Sequence, residues 1–251
     1  MKALILAAGY ATRLYPLTKD YPKALLEVNK RPLIDFIIDK VSVVEAIDEI
    51  IVVTNSKFFE HFHKWSVKIN TDKVVTVVDD MTSDLSQKKG AIADMQFAIQ
   101  KRRINDDLLV IGGDNLFDGD VNLMLDFARL KNKSPVIAVF DIKDKSQASK
   151  YGLVQIDDNG KVVEFQEKPQ VPASTLVAMC LYYFPREKLG LVKEYLSAKE
   201  NKKDALGFYI DWLMRKEDIF AYKFGGKWYD IGDKKFYQHA KESFITNKAR
   251  K

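Results

Sequence analysis

The sequence predicts an α/β protein built on a mainly parallel, doubly wound sheet, and three observations predict it. Short apolar runs rich in branched residues recur through the first 140 positions without alternating, as expected of strands buried on both faces. Amphipathic helical patterns lie between them, the β-α-β alternation of a parallel sheet. After residue 140 the pattern turns to hairpin-like strands followed by helices, which predicts a second, smaller lobe built on the first sheet.

Taken in order, "ALILAAG" (3–9) is the first expected strand. In "RPLIDFIIDKVSVVEA" the residues Leu33, Ile34, Ile37, Ile38, Val41 and Val44 recur at helical spacing, with Pro32 where a first-turn proline is tolerated. "EIIVVTN" (49–55) and "KVVTVVD" (73–79) are strands, and "GAIADMQFAIQKR" (90–102) reads as a helix. "DLLVIGGD" (107–114), the helix "DVNLMLDFARLKN" (120–132) and "PVIAVF" (135–140) complete the first part. "YGLVQIDDNGKVVEFQEKP" holds two strands joined by the turn signal Asp158-Asn159-Gly160, and "TLVAMCLYYF" adds another. Helices are expected at about 186–200 and 205–215, and "KWYDIGD" precedes a closing helix, "KKFYQHAKESFI" (234–245).

With 251 residues, 47% of them hydrophobic, the chain can bury a sizeable core as a single domain, 1–251. One cysteine, Cys180, cannot form an internal bridge, and no apolar run of about 18 residues could span a bilayer. A cytoplasmic protein with no membrane partner is the expectation. The net charge of +5 comes from 40 basic and 35 acidic residues that are scattered, whereas a nucleic-acid footprint needs clustering. No nucleic-acid partner is expected, and monomer and homo-oligomer stay equally open.

The chemistry begins in "LAAGYATRLYPLTKDYPKAL" (6–25). A strand running into Gly9 and small residues lets backbone N–H groups approach an anion, and Thr12 adds a hydroxyl. The Gly-Lys-Ser/Thr ending of a P-loop is missing, as are the three glycines of a dinucleotide fingerprint, which argues against a nicotinamide enzyme. A plain connecting turn is the competing reading. Arg13 offers a planar fork to phosphate oxygens, and Lys23 is a point charge stiffened by Pro22, so together they suit a triphosphate. In "IGGDN", Asp114 stands just past the fourth apolar strand, where open α/β sheets bind ligands; a carboxylate there could hold Mg²⁺ or merely cap a turn. Asp230 in "KWYDIGD" could complete one metal site with it. "EFQEKP" ends a hairpin strand, and alternation puts Glu164 and Lys168 on one face with Glu167 on the other.

Those four motifs and "YGLVQID", five in all, occur in the order and at the spacing of the bacterial sugar-1-phosphate nucleotidylyltransferases, which the chain resembles over nearly its whole length. The resemblance implies a Rossmann-like three-layer sandwich with a mixed, mainly parallel central sheet and a smaller sugar-binding lobe. It also implies the reaction of a nucleoside triphosphate with a sugar 1-phosphate to give an NDP-sugar and pyrophosphate, with Mg²⁺. Residues 1–142 would then bind mainly nucleotide and 143–251 mainly sugar phosphate. Carried over by residue, Ala8, Gly9, Ala11, Thr12 and Arg13 would hold the triphosphate, with Arg13 on the leaving pyrophosphate. Lys23 would neutralise the α-phosphate region, and Gly90 would help read the base through its backbone. Asp114 and Asp230 would be the metal carboxylates, Asp114 also touching nucleotide. Gly152, Glu167, Lys168 and Ala178 would form the sugar-phosphate site, Lys168 contacting the attacking phosphate.

Several positions depart from that pattern. Tyr10 and Ala11 replace small residues and glycine, so the cradle is somewhat bulkier, and Ala11 can still present its N–H if its φ stays negative. "VVDDMTSDLSQKK" (77–89) puts Asp79, Asp80 and Met81 where thymidylyl enzymes carry a glutamine-proline segment, so an ionised carboxylate could accept from uracil, thymine or cytosine. Cys180 stands where the family commonly has glycine on the strand lining the sugar. The chain also stops soon after the helix that follows Asp230, and reads as a minimal catalytic unit. Glucose 1-phosphate with UTP or dTTP is the leading substrate pair. A CTP-dependent enzyme for phosphocholine or another alcohol phosphate, and a non-catalytic nucleotide sensor, are the alternatives; the sensor predicts loss of Arg13, Lys23, Asp114 or Asp230, and all are present. His61 and His63, two apart on a helix, face away from each other and are expected to hold no metal, and His239 likewise.

Overall fold

The computed structural model describes residues 1–244. In chain order the strands are β1 (Lys2–Leu6), β2 (Glu27–Val28), β3 (Arg31–Pro32), β4 (Glu49–Thr54), β5 (Val74–Asp79), β6 (Leu108–Gly112), β7 (Asn115–Phe117) and β8 (Val136–Asp141). They continue as β9 (Gly152–Ile156), β10 (Val162–Glu167), β11 (Leu176–Phe184), β12 (Phe220–Lys223) and β13 (Trp228–Asp230). The helices are α1 (Leu33–Ser42), α2 (Phe59–Ser66), α3 (Ala91–Lys101), α4 (Val121–Arg129), α5 (Lys145–Ala148), α6 (Gly190–Ser197), α7 (Leu206–Leu213) and α8 (Lys234–Ser243).

A nine-stranded sheet organises these elements. β1 lies between β4 and β6, parallel to both, and β5 lies parallel outside β4. On the other side β11 runs antiparallel to β6, β8 antiparallel to β11, and β12 parallel to β8. The hairpin β9–β10 branches off the first half of β11 through the pair Val177–Leu153. Two short antiparallel pairs, β7–β13 and β2–β3, stand apart from this sheet.

Non-alternating strands bury both faces, and each face takes a layer of helices. Ala3, Ile5, Ile50, Val52, Leu109 and Ile111 pack with apolar residues of α1, α2 and α4, while Leu4, Ile51, Val53, Leu108 and Val110 pack with α3, α6 and α7. The result is a three-layer α/β sandwich with a mixed, mainly parallel sheet.

Some boundaries move for local reasons. The first strand stops at Leu6, so 7–9 are loop rather than sheet, and α1 starts at Leu33 because Pro32 still belongs to β3. The helix expected near 186 begins as a 3-10 turn, Arg186–Lys188, before α6. Ile245, assigned to the closing helix, lies outside the described residues. Within β11 the register against β8 shifts between the pairs Ala178–Val139 and Tyr182–Ile137. Cys180 sits in that bulge with φ 53°, in the left-handed region that a glycine adopts freely.

Candidate active site

The carboxyl ends of β1 and β6 open into a cleft of about 510 Å³. From β1 the chain proceeds to β4 and β5 on one side, whereas β6 flanks the other, the strand-order reversal at which open α/β sheets bind ligands. Ala8, Gly9, Ala11, Thr12, Arg13, Lys23, Gly90, Asp114, Gly152, Glu167, Lys168, Ala178 and Asp230 all line it. These residues therefore meet in one place.

Residues 8–13 form the floor of one wall. The Asn55 amide, fully buried, donates to the Ala8 carbonyl at 2.9 Å and fixes the loop from β4. Ala11 does not meet the condition of a negative φ: its φ is +47°. Its carbonyl accepts from the Leu14 N–H at 2.9 Å and from the buried Thr18 hydroxyl at 2.8 Å, contacts that hold the left-handed turn. A Cβ on Gly9 would meet nothing within 4 Å, so the bare backbone leaves open space for a ligand. Arg13 is exposed and makes no ion pair among the described residues.

Lys23 follows Pro22, whose extended backbone (φ −72°) starts a 3-10 turn, Lys23–Leu25. Its Nζ lies 2.5 Å from Asp114 Oδ2. Asp114 and Asp230 meet because β7 pairs with β13: Asp230 stands opposite Asn115, and the Ile231 N–H donates to the Asp114 carbonyl at 3.2 Å. Burial alone would raise Asp114, but the Lys23 ammonium holds it below the usual carboxylate range. Burial, then the Asp114 charge, pushes Asp230 up to about 7. Of the two carboxyls, Asp114 beside Lys23 therefore ionises more readily than Asp230. Among the described residues they have no third acidic, histidine or cysteine neighbour able to join a metal site.

The opposite wall carries the hairpin. β10 ends at Glu167, and Lys168 adopts φ 50°, which breaks strand alternation and brings both side chains into the cleft, 3.4 Å apart. Glu164 instead receives the Gln155 and Gln166 amides and does not line the cleft. Burial raises the Glu167 carboxyl, and Lys168 opposes that shift. Glu167 Oε2 packs so closely on α7 that a Cβ on Gly207 would lie 1.9 Å from it. Tyr151 and Trp228, ring centroids 5.3 Å apart, line the same wall, and the Trp228 indole N–H donates to Asn115 Oδ1 at 2.8 Å.

The segment between β5 and α3 supplies the remaining wall. Gly90 has φ 91°, and a Cβ there would come within 2.5 Å of the Lys203 carbonyl, so only glycine fits. Asp79 accepts from the Ser56 hydroxyl and the Met81 N–H, and Asp80 from the Thr82 N–H and hydroxyl; neither lines the cleft. Asp94 does, and sequence reasoning missed it because one acid in an amphipathic helix reads as surface. His61 packs edge-on to Tyr21 and His63 stacks on Phe59, away from this site.

Residues 2–247 match the family model described as nucleotidyl transferase. Over 234 residues the chain is 31% identical to the bifunctional protein GlmU of Methanococcus aeolicus, a match covering 92% of the chain and 51% of that protein. With the glucose-1-phosphate adenylyltransferase of Acetivibrio thermocellus it shares 30% identity over 261 residues, 97% of the chain and 60% of the relative. The chain spans between 51% and 64% of the length of the first curated relatives it matches. In fold it is similar to a UDP-glucose pyrophosphorylase solved with UDP-glucose, with a TM-score of 0.81, 21% identity, and coverage of 96% of this chain and 97% of that one. No helix among the described residues is long and apolar enough to cross a membrane.

Proposed function

The chain belongs to the nucleotidyl transferase family, and from that premise we propose that it joins a nucleoside triphosphate to a sugar 1-phosphate, releasing pyrophosphate. An oxygen of the sugar phosphate forms a bond to the α-phosphorus, and the bond from that phosphorus to the β-phosphate oxygen breaks, so pyrophosphate leaves with the electron pair. The attacking oxygen is already anionic, so no strong general base is needed and positioning with charge neutralisation suffices. What supports the reading is the convergence of Arg13, Lys23, Asp114, Asp230, Glu167 and Lys168 in one cleft.

In this reading the 8–13 loop binds the triphosphate through backbone N–H groups, Arg13 takes the departing pyrophosphate and Lys23 the α-phosphate region. Gly152, Ala178, Glu167 and Lys168 bind the acceptor, Glu167 accepting from sugar hydroxyls and Lys168 meeting its phosphate. Asp114 and Asp230 would hold a divalent cation; two carboxylates without a third such ligand suit Mg²⁺, which completes its shell with water and phosphate oxygens. When bound, the ion supplies further neutralisation of phosphate charge. The nucleotide role of 1–142 and the acceptor role of 143 onward follow the same division.

Glucose 1-phosphate with UTP or dTTP is the substrate pair we put first. The Tyr151–Trp228 aromatic pair suits the C–H face of a sugar, and it would also suit the quaternary ammonium of phosphocholine. Lys150 and Lys168 in the same lining oppose that cation and favour the sugar. The test is pyrophosphate release from UTP, dTTP, CTP, ATP and GTP with glucose 1-phosphate, other sugar 1-phosphates and phosphocholine. Turnover with a sugar phosphate supports the proposal, and silence with every sugar phosphate overturns it.

A further inference from the structure

Asp94 sits one turn into α3 and is 7% exposed, with its residue lining the cleft beside Leu85, Gly90 and Ala91. No described residue donates a hydrogen bond to its carboxyl, and Oδ1 is buried without a partner. Its polar neighbour is Asp80, itself 1% exposed, and the Lys89 ammonium opposes the effect of that neighbour. Asp80 already accepts from the Thr82 N–H and hydroxyl, both at 2.7 Å. Burial first, then the charge and hydrogen bond of Asp80, push the Asp94 carboxyl up to about 8, so Asp94 tends to keep its proton in the contact with Asp80. One oxygen of Asp94 serves that contact, and the other is an acceptor with nothing to accept. A buried acceptor left so keeps its desolvation cost, which a ligand N–H would recover.

We propose that Asp94 selects the nucleobase, its free carboxyl oxygen accepting a hydrogen bond from an N–H on the Watson–Crick edge of the base; this rests on the nucleotidyl-transfer reading. The phosphate-binding loop and the paired carboxylates Asp114 and Asp230 occupy other walls of the cleft. The β5–α3 segment is the wall with a polar group left unengaged.

Two arms test it. In the wild type, replacing the preferred triphosphate by its analogue methylated on the edge nitrogen should lower kcat/KM about tenfold or more, the loss of one hydrogen bond to a buried partner. In Asp94→Ala the methylated and ordinary triphosphates should perform alike, and the preference among UTP, dTTP, CTP, ATP and GTP should flatten, chiefly through KM. Asp94→Asn, which keeps an acceptor oxygen and an N–H for Asp80, should restore the preference. A merely structural Asp94 would lower all five alike, and that result overturns the inference, as does a wild type indifferent to methylation. Absence of turnover with any triphosphate would overturn the reaction itself, and the inference with it.

Discussion

Ala11 shows what a single dihedral angle can contribute. Holding an alanine at φ +47° costs about 1–2 kcal/mol over glycine in the same conformation, offset in part by glycine's greater freedom when unfolded. Ala11→Gly is therefore expected to raise stability by about 1 kcal/mol or less in urea unfolding, without altering the loop. Lys23 is a residue of the opposite kind. With its partner side chains 18% and 29% exposed, the 2.5 Å pair is only partly desolvated, so Lys23→Met should cost about 2 kcal/mol, less than the 3–5 of a fully buried pair. Pyrophosphate release should fall at least about 100-fold, as for loss of an oriented charge at a phosphoryl centre. Asp94 makes a prediction in pH. Its pKa is raised from the ordinary 3.8 to about 8, so the folded state holds a proton that the unfolded chain releases. Its contribution to stability is complete below about 4 and is lost as pH rises toward about 8; Asp80 and Lys89 are the charges that face it. Thermal melts of Asp94→Asn should fall less steeply than wild type across that window.

At the scale of elements, close approach decides function. The hairpin strand β10 and helix α7 touch where Glu167 meets Gly207, and the 1.9 Å gap leaves no room for a methyl group. Gly207→Ala should push the Glu167 carboxylate aside and raise KM for the sugar phosphate about tenfold, with the nucleotide KM unchanged, a split that steady-state kinetics reads directly. The long elements were legible because their apolar patterns are long: α1, α3, α4 and the buried strands of the parallel core appear close to their expected places. What sequence could not disclose were the short ones. β7 and β13 have three residues each, too few to show a period, yet their pairing is what brings Asp114 to Asp230. β12, four residues in "IFAYKF", was overlooked for the same reason. Strand alternation also misassigned the faces of Glu167 and Lys168, because it assumes extended backbone and Lys168 at φ 50° is not extended.

Across the whole molecule, β11 is inserted between β6 and β8, so strands from the two halves of the chain interleave in one sheet. Neither half can shed its strands without exposing the other's hydrogen-bond ladder. Calorimetry should accordingly record one unfolding transition, and UTP and glucose 1-phosphate, if bound, should each raise that same transition. The position of the cleft was legible, since β-α-β order alone places a ligand at the carboxyl ends; the order in which β11 and β8 follow β6 was not, because nothing local encodes strand neighbours. One further consequence concerns inheritance. The β9–β10 hairpin meets β11 at the pair Val177–Leu153, reaches β12 through the bridge Lys161–Phe220 and rests on α7, whereas the 8–13 loop leaves the central strand β1. In the proposed reaction the acceptor wall and the triphosphate wall thus hang on different strands, so exchanging the β9–β10 hairpin between relatives is expected to alter the acceptor while the triphosphate wall keeps its place.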